Sequence, residues 1–183
     1  MFKSDSLKSF IISRVLGLIS LIIAILLFLS LIGFNENDTT YWNVTSSLQT
    51  LNYLGVYGAH ISEFFLVSLH YSSYFIPVFF LIIGIKSIFG IKYKNFFMRV
   101  VSLLVGICIL NLSLSLANIN SGLMGKFFFD VTKNIFINFQ YNVFFKWTVP
   151  VFIFLLSVLF ISYGLTFRVI FVFSLSKKIL KLV

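Results

Sequence analysis

Charged side chains are scarce in this sequence, and acidic ones are the scarcest. Of the 183 residues, 10% are charged and only five are Asp or Glu, whereas 60% are hydrophobic. Soluble domains contain about 25% charged residues and about 45–50% apolar ones. Because so few charges could not cover so much apolar surface in water, the composition excludes an ordinary soluble domain. It predicts a polytopic integral membrane protein.

Residues that bind metals or catalyse reactions are also few. Cys108 is the single cysteine, which excludes an intrachain disulfide, and the chain has two histidines. A zinc site needs three or four converging ligands, so no metal centre is expected. No catalytic Ser/His/Asp set or dinucleotide fingerprint is present, and the stretch Gly122–Lys126 lacks the spacing of a phosphate loop. The sequence therefore predicts no enzyme and no cofactor.

Four apolar runs account for most of what is present. Each is long enough, at about 20 residues or more, to cross a hydrocarbon core of about 30 Å as a helix. The predicted spans are residues 15–34, 60–85, 96–117 and 149–170. No internal repeat is evident. The expected fold is an all-α membrane protein, a bundle of four transmembrane helices that forms a single domain over residues 1–183.

The two prolines fall in different parts of these runs. Pro77 lies well inside the second run, where it removes a backbone donor and should kink the helix. Pro150 lies at the start of the fourth run and is expected in the first helical turn, where a missing N–H costs nothing.

Three ionisable side chains share one face of the second helix, namely His60, Glu63 and His70. Ionisable groups inside a span are functional candidates, although only His70 is expected at depth, with the other two in the headgroup region. The competing interpretation is a polar face turned into the bundle, with Glu63 at the membrane interface.

Basic residues lie between the apolar runs and give the chain a net charge of +9. Cytoplasmic loops of membrane proteins carry an excess of Lys and Arg. Eleven of the 14 basic residues lie in the two tails and in the loop between the second and third spans: Lys3, Lys8, Arg14, Lys86, Lys92, Lys94, Arg99, Arg168, Lys177, Lys178 and Lys181. The other three are Lys126, Lys133 and Lys146. Both termini are therefore expected in the cytoplasm.

The second external loop, residues 118–146, is rich in apolar side chains at helical spacing: Phe127, Phe128, Val131, Ile135 and Phe139. This pattern predicts a helix that lies along the outer membrane surface. The alternative is a re-entrant or irregular loop folded onto the bundle.

Small residues form a stripe on two of the predicted spans. Membrane helices meet where small side chains let their backbones approach. One stripe, on the first span, consists of Ser13, Gly17, Ser20 and Ala24, and the other, on the third span, of Ser102, Gly106, Ser113 and Ala117. The third span also carries Cys108, Asn111 and Ser115 on its opposite side. Unless these alignments arise by chance, the third span is central or also contacts another subunit.

A motif opens the second span: Asn52-x-x-Gly55-x-x-Gly58-Ala59, followed by Glu63 and by Tyr74-x-x-Pro77. The first loop contains Phe34, Asn35, Asp38 and Trp42, and the second contains Ser121, Gly122 and Gly125. With its four spans, nearly the whole chain resembles the membrane domain of the FtsK/SpoIIIE DNA translocases, whose ends are both cytoplasmic. Asp is usual in that family at the position of Glu63, a Gly is common at that of His70, and both prolines of the family's first loop are absent.

The resemblance implies a membrane-anchoring and oligomerisation domain of a bacterial septal DNA translocase that acts in cell division and chromosome segregation. Its expected partners are other copies of the chain, division-site membrane proteins and the bilayer of the inner membrane, where it is expected to concentrate at the septum. The family's cytoplasmic linker and ATPase motor are expected to lie outside this sequence, so DNA would be contacted only indirectly. The alternative function is a small polytopic transporter or channel subunit, with Glu63, His70 and Asn111 lining a polar path.

Overall fold

The computed structural model describes residues 2–43, 50–91, 95–140 and 143–165, and all regular structure in these ranges is helical. The α-helices are α1 (Phe2–Ile32), α2 (Gly55–Leu69), α3 (Phe75–Ile88), α4 (Phe96–Leu116), α5 (Gly122–Gln140) and α6 (Val143–Gly164), with a 3-10 helix at His70–Tyr74. Within the described ranges, four helical segments are long and apolar enough to cross a membrane: Phe10–Ile32, Gly55–Ile88, Phe96–Leu116 and Lys146–Gly164. The predicted all-α membrane protein with four spans is confirmed.

Some predicted features fall outside the described residues. These are the end of the fourth span at residue 170 and six of the basic residues assigned to the cytoplasm: Lys92, Lys94, Arg168, Lys177, Lys178 and Lys181. The chain divides into two compact units, Met1–Lys94 and Asn95–Val183. Each unit contains two of the four spans.

In the first unit, α1 packs against α3 through small residues on both helices. A Cβ atom on Gly17 would lie 3.0 Å from the Gly84 carbonyl oxygen, and one on Gly84 would lie 2.9 Å from the Gly17 oxygen. The Ser20 hydroxyl donates to the Phe80 carbonyl (2.7 Å), and the Ser87 hydroxyl donates back to the Ser13 carbonyl (2.6 Å). Close backbone approach and hydroxyl–carbonyl bonds are the usual means by which helices associate in lipid.

Large apolar side chains cover the outside of α1, as expected for a helix in lipid. Ile22 and Ile25 are 57% and 55% exposed, whereas Ala24 between them is fully buried. A soluble protein would place its large apolar side chains inside. The reverse arrangement is stable where the surrounding solvent is hydrocarbon.

The second span is interrupted, which differs from the predicted single helix with a kink at Pro77. α2 ends at Leu69, the 3-10 helix covers the five residues His70–Tyr74, and α3 begins at Phe75. Pro77 is therefore in the first turn of α3 and is buried there. A proline crowds the carbonyl four residues earlier, here that of Ser73, so the helix is broken before the proline rather than bent at it.

In the second unit, α4 packs against α6 on one side and contacts α5 as well. Ser102 and Ser113 donate hydroxyl hydrogen bonds to the carbonyls of Phe160 (2.9 Å) and Pro150 (2.8 Å). A Cβ atom on Gly106 would lie 2.7 Å from Ile161 Cγ1. This is the same type of contact as that between α1 and α3.

One expectation for the second unit requires correction. α6 begins at Val143, so Pro150 lies in the interior of the helix and not in its first turn. The aromatic and apolar residues from 143 onward extend the helix before the hydrophobic run that sequence reading recognises. Ala117, assigned to the packing stripe of α4, is the half-buried residue that caps this helix at its C-terminus.

Candidate functional site

Four polar side chains that are buried together join the first loop to α1 and α2. We call this set the loop cluster; its members are Ser30, Asp38, Asn52 and Ser62. Asp38 is 2% exposed, and its two carboxylate oxygens accept the backbone N–H groups of Leu51 (2.6 Å) and Asn52 (3.0 Å). A buried carboxylate is costly unless it is hydrogen-bonded. These two bonds satisfy Asp38 and fix the end of the loop just before α2.

Asn52 lies at the centre of the loop cluster and uses both halves of its amide. Its Oδ1 accepts the N–H of Leu54 (3.0 Å), while its Nδ2 donates to the Ser30 carbonyl (2.9 Å) and to Ser62 Oγ (3.3 Å). The first bond closes a turn of the kind that asparagine favours before a helix. The other two connect this turn to α1 and α2. Only a side chain with both a donor and an acceptor can make all three bonds.

The two glycines of the motif serve different purposes. Gly55 has φ +60 at the start of α2, a left-handed conformation that glycine adopts without steric cost. Gly58 lies where a Cβ atom would overlap Asn52 Oδ1, and its carbonyl accepts the Ser30 hydroxyl (2.8 Å). Ala59, which follows, is 1% exposed. The Asn-x-x-Gly-x-x-Gly-Ala pattern thus corresponds to one turn, one left-handed residue and one close contact.

A second Gly-x-x-Gly pair opens α5 in a similar way. Gly122 has φ +67, and its N–H points to Asn120 Oδ1 at 3.4 Å. A Cβ atom on Gly125 would overlap Ser121 Oγ and lie 2.8 Å from the Asn111 carbonyl oxygen. The close contact here brings the start of α5 against α4.

The remaining motif residues lie on the second span. The Tyr74 hydroxyl is 3.5 Å from the Leu31 carbonyl, which it reaches as a long hydrogen bond to α1. Glu63 is 6% exposed, and its Oε2 atom is buried without a hydrogen-bond partner. The low exposure means that Glu63 does not face solvent in this unit. A buried oxygen without a partner is costly.

The two histidines, His60 and His70, are half-buried and contact aromatic rings. The His60 ring stacks on Tyr41 at 4.2 Å between centroids, and His70 meets Tyr71 edge-on at 4.1 Å. Over the residues that the structure describes, no three His, Cys, Asp or Glu side chains converge into a group that could hold a metal ion.

Comparison with protein families decides the identity of the fold. The family model of the 4TM region of DNA translocase FtsK/SpoIIIE matches residues 11–173, which is most of the chain. This chain belongs to that family. No curated protein and no solved structure matches it. The protein is therefore a multi-pass membrane protein that corresponds to the membrane region of FtsK/SpoIIIE-type translocases.

Several residues that shape this FtsK/SpoIIIE membrane region lie outside every pattern found in the sequence. Ser30 and Ser62 complete the loop cluster, while Gly84 and Gly164 provide close contacts, with a Cβ atom on Gly164 only 2.8 Å from Leu103 Cβ. Their partners lie up to about 70 residues away in the sequence, and no helical or strand period relates residues that far apart. The signal that could have drawn notice is a serine or glycine within an otherwise apolar run.

Proposed function

We propose that this chain anchors a DNA translocase in the bacterial inner membrane and helps its subunits to assemble at the division septum. The translocase would act there in cell division and chromosome segregation. The observation that carries this proposal is the family match over residues 11–173. The loop cluster supports it, because its central residue, Asn52, belongs to the motif and contacts Gly58 of the same motif. ATP hydrolysis and DNA binding would belong to a motor domain, so these residues would themselves catalyse nothing.

The proposed orientation places both termini in the cytoplasm and the loop cluster outside. Its support is the distribution of basic residues, eleven of 14 on the side of the termini. The same orientation puts α5 on the outer surface. Leu123, Phe127 and Val131 on α5 are about 60% exposed apolar side chains on a helix that also carries Lys126 and Asp130. This amphipathic character supports a helix that lies in the interface.

Self-association is proposed through surfaces other than the two sides of α4. One side of α4 contacts α6 through Gly106, and the Asn111 backbone on another side contacts the start of α5. Both sides are thus occupied within the second unit itself.

The aromatic residues beside the loop cluster form an exposed surface. Tyr41, Tyr53 and Tyr57 are 84%, 69% and 83% exposed. Because aromatic residues are enriched at protein interfaces, this surface is a candidate for contacts with division-site membrane proteins.

The septal role is tested by fusing the chain to a fluorescent protein in dividing bacteria. Fluorescence should form a band at mid-cell, and replacing Asn52 by Ala should weaken the band, because the loop cluster shapes the external surface. The replacement Asn120→Asp, at an exposed position and with the Oδ1 acceptor kept, serves as the control. Uniform membrane fluorescence throughout the division cycle, at normal protein level, would contradict the septal role.

The transporter or channel subunit is a second candidate, which two observations favour. The second span is discontinuous at His70–Tyr74, and Glu63 is buried with one oxygen unpartnered. Broken helices and intramembrane ionisable groups are typical of transporters. The chain should be reconstituted in vesicles and solute flux measured for the wild type, Glu63→Gln and His70→Ala. We expect no flux through the wild-type protein, and we expect Glu63→Gln to localise normally at the septum. Flux through the wild type that both replacements abolish would favour the transporter.

A further inference from the structure

An apolar groove runs along the second unit between the first turns of α4 and the last turns of α6. Its volume is about 370 Å³, within the range of roughly 300–1,000 Å³ that is usual for ligand-binding clefts. The groove is lined by Met98, Val101, Ser102, Val105, Leu159, Phe160 and Tyr163. Two lining residues carry a hydroxyl, Ser102 and Tyr163, and that of Ser102 already donates to the Phe160 carbonyl (2.9 Å). The walls therefore offer an elongated apolar surface.

Arg99 is held at one end of this groove. Its Nη1 donates to the Tyr163 carbonyl (3.2 Å), and its guanidinium carbon lies 5.3 Å from the centroid of the Tyr163 ring. Arg99 is three residues from the start of the candidate span at Phe96, which places it at headgroup depth. Val105, six residues further along α4, lies about 9 Å deeper at the helical rise of 1.5 Å per residue. The groove thus extends from a cation into the apolar part of the span.

The two helices that form the walls of the groove carry positive charge only. Neither α4 nor α6 contains an Asp or Glu, so both helices that form the walls are free of acidic residues. The site combines a guanidinium at headgroup depth with an apolar groove that extends from it into the span. It is complementary to a molecule with an anionic head and a hydrocarbon tail. Basic pockets between transmembrane helices are known to bind anionic lipid headgroups.

We propose that this groove is a binding site for an anionic phospholipid, with the phosphate on Arg99 and one acyl chain along Val101 and Val105. A second helix is a poorer occupant, because helices associate in lipid through small residues. The small residues Gly106 and Ser113 already contact α6, and the groove presents larger side chains apart from Ser102, whose hydroxyl is bonded to the Phe160 carbonyl. The site does not depend on the septal role.

The test is native mass spectrometry of the delipidated full chain, titrated with phosphatidylglycerol and with phosphatidylcholine of identical acyl chains. We expect the wild type to bind phosphatidylglycerol about fivefold more tightly, the ratio that corresponds to about 1 kcal/mol for one basic residue near an anionic headgroup. Arg99→Gln should abolish this preference, whereas Arg99→Lys should retain it. Arg14→Gln removes an equal charge at an exposed position of α1 and should leave the preference unchanged.

The tail position is tested separately by filling the groove. Val105→Trp should cause a loss of binding of both lipids, whereas Leu104→Trp, an exposed residue outside the groove, should not. Equal affinity of the wild type for the two lipids would overturn the proposal, as would equal effects of Arg99→Gln and Arg14→Gln. If Val105→Trp changes the oligomeric state and leaves lipid binding intact, the groove is an interface between copies and the lipid site is wrong.

Discussion

Asn52 combines two roles that no other side chain of its size provides. The amide accepts from the Leu54 N–H on one side and donates to the Ser30 carbonyl on the other. Aspartate has nearly the same shape but no N–H donor, and it would bring a carboxylate oxygen against the Ser30 carbonyl oxygen. Leucine would leave the Leu54 N–H and the Ser30 carbonyl without this partner. The chemistry of the amide, rather than its volume, accounts for asparagine at this position.

Asn52→Asp should therefore lower the free energy of unfolding. Loss of the donor leaves buried acceptors facing each other, for which we expect a cost of about 1–3 kcal/mol. Thermal or denaturant unfolding in detergent measures the change. Asn120→Asp is the matched control, since Asn120 is exposed and contributes its Oδ1 as an acceptor, which aspartate keeps. Equal stability of the two variants would mean that the Nδ2 bonds contribute nothing.

At the scale of single elements, the interruption of the second span depends on one unusual backbone conformation. His70, the C-terminal cap of α2, has φ 50 and ψ −128, and its N–H donates to the Leu66 carbonyl. A side chain at such a conformation costs on the order of 1–3 kcal/mol, and glycine avoids most of this cost. Glycine would therefore fit the backbone at this position better than histidine does.

His70→Gly is expected to be more stable than His70→Ala by about 1 kcal/mol or more. Both variants remove the imidazole and its contact with Tyr71, so their difference isolates the backbone. Unfolding of the two proteins in the same detergent provides the measurement. An alanine variant as stable as the glycine variant would show that the chain straightens at this point and that the positive φ is not maintained.

The contact between α1 and α3 gives a second prediction at this scale. Gly84→Leu should destabilise the first unit, because even a Cβ atom at Gly84 would lie 2.6 Å from Leu21 Cγ and 2.9 Å from the Gly17 carbonyl oxygen. Overpacking of this kind costs about 1–3 kcal/mol. Thermal unfolding and membrane yield are the readouts. The adjacent Ile85→Leu, at an exposed position, should behave as the wild type.

Hydropathy and small-residue spacing predict the membrane-spanning elements but not their interruptions. The apolar run of the second span continues through His70, so hydropathy contains no sign of the break. Pro77 predicts a kink, but not the 3-10 segment that precedes it. The early start of α6 is not predicted, because Lys146 and Trp147 are residues typical of the membrane interface. The loop cluster is not predictable as a unit, because its bonds join residues such as Ser30 and Asn52, which are 22 positions apart and which no local period relates.

At the scale of the whole molecule, the two units follow the same plan although their sequences show no repeat. In each, a long first span leads through a loop to a helix that opens on a glycine with positive φ, Gly55 or Gly122. Three residues later a second glycine, Gly58 or Gly125, makes a contact too close for any side chain. The shared arrangement depends on the backbone at these four glycines, and it does not require the two units to be similar at other positions.

The orientation of the whole chain is testable by cysteine labelling in intact cells. With Cys108 replaced by Ala, a cysteine at Tyr41 or Asn134 should react with a membrane-impermeant reagent, and one at Ile91 should react only after the cells are permeabilised. All three positions are exposed, so a failure to react cannot be assigned to burial. Labelling of Ile91 from outside would reverse the proposed topology.

The compactness of the loop cluster in sequence has a consequence for biosynthesis. All four of its members lie between Ser30 and Ser62, so every partner of Asn52 has been synthesised before α3 begins. At about 5–20 residues per second, the second unit follows over roughly 5–20 s. During that interval the nascent chain already contains every residue of the loop cluster, which joins the first loop to α1 and α2. We expect the hydrogen bonds of the loop cluster to form while the ribosome is still translating, so that the first loop is ordered before the last spans enter the bilayer.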